Sequence, residues 1–329
     1  MKYVYVFACH EDEQALCDME LRALLGADAV IGARYAVSAR KVEPSRSPFV
    51  KLRLAVELEA GSLAELAALV SAHPVTGATF KVVFAPTGEP VLYDRQREIE
   101  RELGRHLRGQ AEMRRPAQWF AVTALGGRWL FGDCAHGEAV WLQHQQKPQN
   151  YSTALPTRIA RAVVNVAVPD TAGTLVDPCC GIGTVLIEAL SMGIDSVGFD
   201  LNPLAVRGAR VNLRHFGLPE VVGVADMRAL APHGGSASAA SSSAPAARRY
   251  DALVLDMPYN LCSKLPEAEA LEMLEAARRL ARRAVILTTE EIDPLLEKAG
   301  LRIVDRCLAH KGRFSRQVIV CENDLVSSK

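Results

Sequence analysis

Apolar and polar positions alternate along this chain in two different styles, and the change from one to the other divides it. Near the start, Tyr3–Ala8 alternates as a strand, and Glu11–Gly26 puts Leu16, Met19 and Ala23 on one helical face before stopping at a glycine. Phe49–Leu58 (FVKLRLAVEL) alternates at every second residue and predicts a half-buried strand. Ser62–Ala72 predicts a helix, with Ser62 as its N-cap and Glu65 completing a capping box. Thr79–Phe84 is a further strand, and Arg95–Leu107 a charged helix with Ile99, Leu103 and Leu107 as its inward stripe. Trp119–Thr123 and Trp129–Phe131 are strands flanking a Gly126-Gly127 turn. Strands and helices mixed in this way predict an α+β region.

From Gly173 onward the units alternate strictly. Strands at Leu175–Asp177, Ser196–Asp200, Val221–Ala225, Ala252–Asp256 and Ala284–Thr288 are separated by helices at Gly183–Met192, Pro203–Phe216 and Ala268–Leu280. A helix at Asp293–Ala299 precedes a closing hairpin of Leu301–Ala309 and Arg316–Cys321. This predicts a parallel sheet with helices on both faces, made mixed by the hairpin, of about seven strands. The polar run Gln143–Asn150 marks the boundary between the halves, and the length of 329 residues suits two domains. His233–Arg249 (HGGSASAASSSAPAARR) is Ser/Ala/Gly-rich and reads as a mobile surface insertion.

Composition narrows the function classes. Hydrophobic residues at 49% and charged residues at 23% describe an ordinary globular protein. No apolar run approaches the roughly 18 residues of a spanning helix, and the apolar start is too short for a signal peptide. A soluble cytoplasmic protein is expected. The eight cysteines form no Cys-x-x-Cys pair, which argues against a structural zinc or a disulfide framework, and no metal is expected. Residues 1–150 carry 18 basic and 18 acidic residues, so binding to nucleic acid by bulk charge is excluded while local basic patches are not. Two such patches stand out. Arg34, Arg40, Lys41, Arg46, Lys51 and Arg53 face only Glu43, and Arg302, Arg306, Lys311, Arg313 and Arg316 face only Asp305. Either can equally be a solvated loop.

The chemistry concentrates where buried strands end. Leu175-Val176-Asp177-Pro178-Cys179-Cys180-Gly181-Ile182-Gly183-Thr184 sits at a strand-to-helix turn, the edge at which open α/β sheets bind ligands. Leu186 replaces the third glycine of a dinucleotide fingerprint and no Gly-Lys-Ser/Thr follows, so dinucleotide and triphosphate sites lose support. Asp200 ends the second strand and can bind both hydroxyls of a ribose. Asp226 ends the third and can accept from an adenine amine, with Met227 against the ring. Each aspartate alone reads equally well as a surface cap; with the glycine loop they fit adenosine. The fourth strand ends in Asp256-Met257-Pro258-Tyr259-Asn260. A carboxylate beside a main-chain carbonyl offers two acceptors to an exocyclic NH₂, and Tyr259 can stack on a base.

On these residues, 173–321 resembles the class I S-adenosylmethionine-dependent methyltransferases that modify base amines, whose Asp/Asn-Pro-Pro-Tyr motif is matched except at Met257. Lys147-Pro148-Gln149-Asn150-Tyr151-Ser152-Thr153-Ala154-Leu155-Pro156-Thr157-Arg158, with the Asp177–Thr184 loop and Ile187-Glu188-Ala189, is similar to the THUMP-containing tRNA guanine-N2 methyltransferases. Phe80-Lys81-Val82-Val83, Leu103-Gly104 and Arg115-Pro116 resemble, more loosely, a THUMP RNA-binding domain.

The resemblance implies a ferredoxin-like module at 1–60, a THUMP-like RNA-binding domain at 61–142, a linker and helix at 143–172 and a Rossmann-like methyltransferase domain at 173–329. It implies S-adenosylmethionine as cofactor, held by Thr153, Asp177, Pro178, Gly181, Gly183, Thr184, Asp200, Leu201, Asp226 and Met227. Asp256, Met257, Pro258 and Tyr259 would form the catalytic motif. Arg34, Arg40, Lys41, Arg46, Lys51, Arg53, Arg95, Arg97, Arg101 and Arg105 would grip the phosphates of an RNA, a tRNA by this likeness. The implied reaction is direct methyl transfer to guanine N2. A DNA or rRNA amino-methyltransferase, and a non-catalytic RNA-binding protein that keeps the cofactor site, remain as alternatives; Met257 favours the last.

Overall fold

The computed structural model describes residues 1–88, 90–151, 154–231, 249–258, 265–311 and 314–323. The expected insertion at 233–249 therefore lies, but for Arg249, outside the described residues. Met1–Cys9 with Leu25–Glu138 form one compact unit, and His10–Leu24 with the chain from Ala139 onward form another.

In the first unit, β1 (Lys2–Phe7) is followed by helix α1 (Gln14–Leu25), which belongs to the second unit in all but its last residue. Then come β2 (Val30–Ile31), β3 (Tyr35–Ser38), β4 (Val50–Val56), β5 (Leu58–Ala60), α2 (Leu63–Val70) and β6 (Thr79–Phe84). Helix α3 (Tyr93–His106), β7 (Gln110–Ala111), β8 (Gln118–Leu125) and β9 (Arg128–His136) complete it. One sheet runs through them in the order β2-β3-β1-β4-β9-β8-β6-β7, with β5 also paired to β9. The strand expected over Phe49–Leu58 is broken at Glu57, whose amide bonds to Phe131 O at 2.9 Å. A Cβ on Gly132 would lie 1.9 Å from Ala55 O, so only glycine lets the two backbones meet there. The capping box at α2 is formed: Ser62 Oγ accepts from Glu65 N at 3.1 Å, and Glu65 Oε2 accepts from Gly61 N at 2.8 Å.

The second unit adds α4 (Val140–Gln143), α5 (Thr157–Ala167), β10 (Thr174–Asp177), α6 (Thr184–Ser191), β11 (Asp195–Asp200), α7 (Pro203–His215) and β12 (Val222–Val224). It continues with β13 (Tyr250–Asp256), α8 (Glu267–Leu280), β14 (Ala281–Thr288), α9 (Asp293–Lys298), β15 (Arg302–Lys311) and β16 (Phe314–Glu322). The seven strands lie in the order β12-β11-β10-β13-β14-β16-β15. The first five are parallel, and the β15–β16 hairpin pairs antiparallel to β14, Ile286 opposite Ile319. This is the mixed seven-stranded, Rossmann-like sheet that the alternation predicts. Its central strands are buried on both faces, which is why Leu253-Val254-Leu255 and Val285-Ile286-Leu287 read as continuous apolar runs. Because β11 and β13 flank β10 on opposite sides, connections diverge there, and a crevice opens at the carboxyl ends of the strands.

Two packing features exceed the sequence pattern. Helix α1, whose pattern suggests a stripe of Leu16, Met19 and Ala23, also buries Glu20, which accepts from Asn165 Nδ2 of α5 at 2.6 Å. Its Arg22 pairs with Asp305 of β15 at 3.0 Å, and its Met19 meets the Cys307 thiol at 3.8 Å. The other feature is a buried polar cluster centred on Glu188 of α6. Its Oε1 lies 2.7 Å from His144 Nδ1, and its Oε2 accepts from Arg161 Nη1 at 2.8 Å. This cluster ties the segment before α5 to the helix that follows the glycine loop.

Removing one partner of a buried ion pair leaves the other charge in a poor solvent, at a typical cost of about 3–5 kcal/mol. Glu188 is 0% exposed, so Glu188→Ala should lose stability of that order in chemical denaturation. Glu59→Ala, which removes exposed pairs to Lys2 and Arg128, should cost less than about 1 kcal/mol. Equal losses would mean that the cluster does not anchor α6.

Candidate functional site

The chain leaves β10 at Asp177, turns through Pro178-Cys179-Cys180-Gly181-Ile182 and enters α6 at Thr184. Gly181 has φ +52° and Gly183 φ +80°, left-handed values that residues with a Cβ rarely adopt. Gly183 N donates to Cys180 O at 2.8 Å to close the turn, and Cys180 N donates to Phe199 O at 2.8 Å, fixing the loop to β11. Asp200 at the end of β11 reinforces this. Its Oδ2 accepts from Gly181 N at 2.8 Å and its Oδ1 from Asn202 N at 2.8 Å, while Asn202 caps α7 through Leu204 N.

Asp226 follows β12 and is already engaged. Its Oδ1 accepts from Arg228 N at 2.9 Å and Arg228 Nε at 3.0 Å, and its Oδ2 from Arg228 Nη2 at 2.7 Å. Those bonds hold the Asp226 carboxyl below the usual carboxylate range. Arg228 continues to Glu272 of α8 at 3.1 Å. The expectation that Asp226 accepts from an adenine amine meets a carboxylate whose acceptor positions are largely taken, so its foremost role is to fix the turn carrying Met227. Met227 is buried, with its sulfur 3.7 Å from the Cys179 thiol.

Asp177 is buried, and burial, together with the nearby Asp256 and Asp200 charges, drives its carboxyl well above its ordinary value. One hydrogen bond, from Cys179 N at 3.3 Å, opposes the rise. Asp256 at the end of β13 is 23% exposed, and burial pushes it up to about 6 against the opposing charge of Arg316. Among the described residues, nothing donates a hydrogen bond to its Oδ1; Arg316 Nε stands 3.6 Å away. Met257 N donates to Leu287 O at 2.9 Å, and the Met257 side chain lies in the apolar cluster with Ala270 and Met273 of α8. The departure from the resembled motif is thus a packing residue.

A cavity of about 410 Å³ gathers these groups. Of the residues singled out from sequence, it brings together Asp177, Pro178, Gly181, Thr184, Asp200 and Leu201 with Asp226, Met227, Asp256, Met257 and Pro258. Gly183 stands behind the loop, where a Cβ would lie 3.3 Å from that of Ala209. Thr153 and Tyr259 lie outside the described residues. Tyr151 and Leu155, from the stretch at 147–158 singled out by its resemblance, also line the cavity, as do Arg228 and Glu269, which carried no motif signal. Arg316 does not line it.

The ten basic residues expected to meet phosphate fare differently. Arg34, Arg40, Lys41 and Lys51 are exposed, and Arg46 is half-buried. Arg53 turns inward: its side chain is 10% exposed, pairs with Glu43 at 2.8 Å and lies over the Tyr3 ring. Alternation along β4 puts Arg53 on the same face as the exposed Lys51, but Glu43, the Val42 carbonyl and the Tyr3 ring hold it, so it is withdrawn from the solvent that a phosphate contact needs. On α3, Arg95 pairs with Glu98 and Arg97 with Glu100, while Arg101 and Arg105 are exposed.

Residues 144–307, just under half of the chain, match the family model described as UPF0020: RMKL-like, methyltransferase domain. Over 170 residues the chain is 30% identical to the tRNA (guanine(10)-N2)-dimethyltransferase of Pyrococcus abyssi (strain GE5 / Orsay), covering 49% of this chain and 47% of that protein. Over 75 residues it is 36% identical to the protein of the same name from Methanothermobacter thermautotrophicus, covering 23% of this chain and 22% of that one. The chain thus spans less than half the length of either curated relative. The crystal structure of TrmN from Thermus thermophilus aligns over 98% of this chain and 100% of its own, with 18% identity and a TM-score of 0.49.

The loop conformation makes its own prediction. An added Cβ on Gly181 would lie 2.6 Å from the Tyr151 hydroxyl, the movable end of a side chain, whereas φ is fixed by the turn. Gly181→Ala should therefore cost about 1–2 kcal/mol in thermal or chemical unfolding, with or without Tyr151→Phe. A cost that vanishes in the Tyr151→Phe background would place the constraint in the contact instead of the backbone.

Proposed function

We propose, from the premise that residues 144–307 are an RMKL-like methyltransferase domain, that this chain transfers a methyl group from S-adenosylmethionine to the exocyclic N2 amine of a guanosine in tRNA. The observation that carries the reading is the placement of Asp256 and the Met257 turn in one cavity with the glycine loop and Asp200. The tRNA and guanine-N2 parts take their support from the names of the curated relatives.

The cavity suits the cofactor. Its volume of about 410 Å³ falls in the range of small-molecule sites. Gly181 leaves the loop backbone bare for close approach, and Asp177 and Thr184 flank it for the methionine portion. Asp200 spends one acceptor position of each oxygen on the backbone, leaving the others for two ribose hydroxyls. Met227 and Leu201 supply apolar surface for the adenine ring, with Pro178 in the same wall. When bound, S-adenosylmethionine supplies an electrophilic methyl carbon on a sulfonium sulfur.

The protein's own contribution is positioning and proton handling. The Asp256 carboxylate and the Met257 carbonyl would accept the two hydrogens of the amine, leaving the nitrogen lone pair free to attack. Asp256 would then take the proton that the amine releases, a task suited to a base titrating close to neutrality. The bond between Met257 N and Leu287 O keeps that turn fixed while the base is held. Tyr259 would stack on a base flipped out of its helix. Arg34, Arg40, Lys41, Lys51, Arg101 and Arg105 are exposed cations of the first unit that would be open to RNA phosphates. No helix among the described residues is long and apolar enough to cross a membrane, and a tRNA substrate would be met in the cytoplasm.

Tritiated methyl transfer from S-adenosylmethionine to bulk small RNA, followed by nucleoside mass spectrometry, tests the whole reading. The expected product is N2-methylguanosine, with Asp256→Ala lowering the rate by about 100- to 10,000-fold while cofactor binding persists. Label that enters a different nucleoside, or that enters RNA equally in the variant, would overturn it.

A further inference from the structure

Arg316 belongs to no motif, does not line the cavity, and sits on a hairpin strand that contributes no other group to the site. The sheet nonetheless brings it behind the reacting edge. Asp256 of β13 stands opposite Leu287 of β14, and the next residue of β14, Thr288, stands opposite Gln317 of β16. Arg316 is thus at the same end of the sheet as Asp256, with only β14 between their strands. Its side chain is 4% exposed, and Nε lies 3.6 Å from Asp256 Oδ1. A guanidinium withdrawn from water to that extent is costly unless an anion faces it.

We propose that Arg316 is the positioning residue for the methyl transfer: its buried charge keeps the Asp256 carboxylate ionised at neutral pH, so that Asp256 can accept the amine hydrogens and then the proton. The proposal rests on the methyl-transfer reading of Asp256 given above. It explains why a carboxylate can work as an acceptor in a cavity that already holds three other aspartates and Glu269. Among the described residues, the charged and titratable groups about Asp256 are Arg316 from β16, Asp177 from β10, and the Cys179 thiol on the loop after β10. The residues that β14 places beside it, Leu287 and Thr288, carry no charge. Burial favours the protonated form, and Arg316 opposes it. A protonated Asp256 has lost one acceptor site and has no room for the departing proton.

The sign follows directly. Taking away a positive charge raises the pH at which Asp256 ionises, so activity that needs the carboxylate disappears sooner as pH falls. The test compares the full chain with Arg316→Met and Arg316→Lys in steady-state methyl transfer to tRNA across pH. It adds a ¹³C-carboxyl NMR titration in which Asp256 is identified by its absence from Asp256→Asn. In the wild type the acid limb of kcat and the carboxyl titration should coincide near pH 6. In Arg316→Met both should move up by about one pH unit or more, with kcat recovering on the alkaline plateau and KM for tRNA unchanged. Arg316→Lys, which keeps the charge, should stay closer to the wild type than Arg316→Met. Arg316→Gln keeps a polar head on most of the stem and gives the same comparison if the methionine variant does not fold.

A kcat lowered by the same factor at every pH, or an Asp256 titration unmoved in Arg316→Met and Arg316→Gln, would overturn the proposal while methyl transfer itself stands. A wild type that moves no methyl group into RNA overturns the methyl-transfer reading, and Arg316's part in the reaction goes with it. The carboxyl titration then still shows whether the pair is coupled, which separates the two failures.

Discussion

The parallel pairing of β10 with β13, Leu175 opposite Ala252 and Val176 opposite Leu253, joins two stretches of chain that are far apart in sequence. From β10 the chain winds outward through β11 to β12, and it resumes on the other side at β13. Parallel strands end at the same edge, so Asp177, Asp200, Asp226 and Asp256 all arrive at one crevice. The helices that cover the sheet cannot close that crevice, because their connections leave it in opposite directions. A left-handed turn at Gly181 and Gly183 then allows the first loop to fold back against β11 without blocking it.

Collecting four aspartates in one cavity carries an electrostatic cost, and the protein meets it differently at each. Asp200 is satisfied by two main-chain N–H groups, and Asp226 by a guanidinium from its own turn. Both are held by local hydrogen bonds and serve to fix loops. Asp177 and Asp256 are driven upward by burial, and neither has local bonding of comparable strength. The site thereby separates anions that build the pocket from those that hold a proton more readily. Only Asp256 has a buried arginine against it, and it is also the carboxylate at the strand end resembling an amine-methylating motif. Asp177, without a cation so placed, is suited to forming a wall of the cofactor cavity.

Local regularities were legible in the chain because a strand or helix writes its own period. The seven-stranded sheet, the capping box at Ser62 and Glu65, and the strand-end aspartates all follow from residues close in sequence. Arg316 illustrates what does not. In sequence it is one of a run of cations beside Phe314 and Gln317; its meaning depends on β16 entering the sheet next to β14. Arg53 makes the converse point, since its place in a basic run and on the Lys51 face of β4 suggests solvent while Glu43 and the Tyr3 ring hold it inward. Glu20 and Glu188 show the same limit in helices. Acidic residues on an apolar stripe look like solvated edges until their partners Asn165, Arg161 and His144 are known.

The first unit poses a different physical problem, because the chain has no net charge with which to attract an RNA. Attraction then has to come from how the cations are spread, and the structure sorts them. Arg95 and Arg97 are compensated by acids one helical turn along; the exposed Arg95–Glu98 pair is worth only fractions of a kcal/mol, so a phosphate can compete for it, whereas Arg97 pairs with the largely buried Glu100. Arg101 and Arg105 stand on the same helix, and Ile99 and Leu103 fix its register by packing into the apolar core. The cations therefore project from a rigid stripe. Affinity built this way arises from a few released counterions, so it is modest and falls with salt. Under the proposed function, it would suit an enzyme that binds many copies of a folded RNA by shape, acts on one base and lets go.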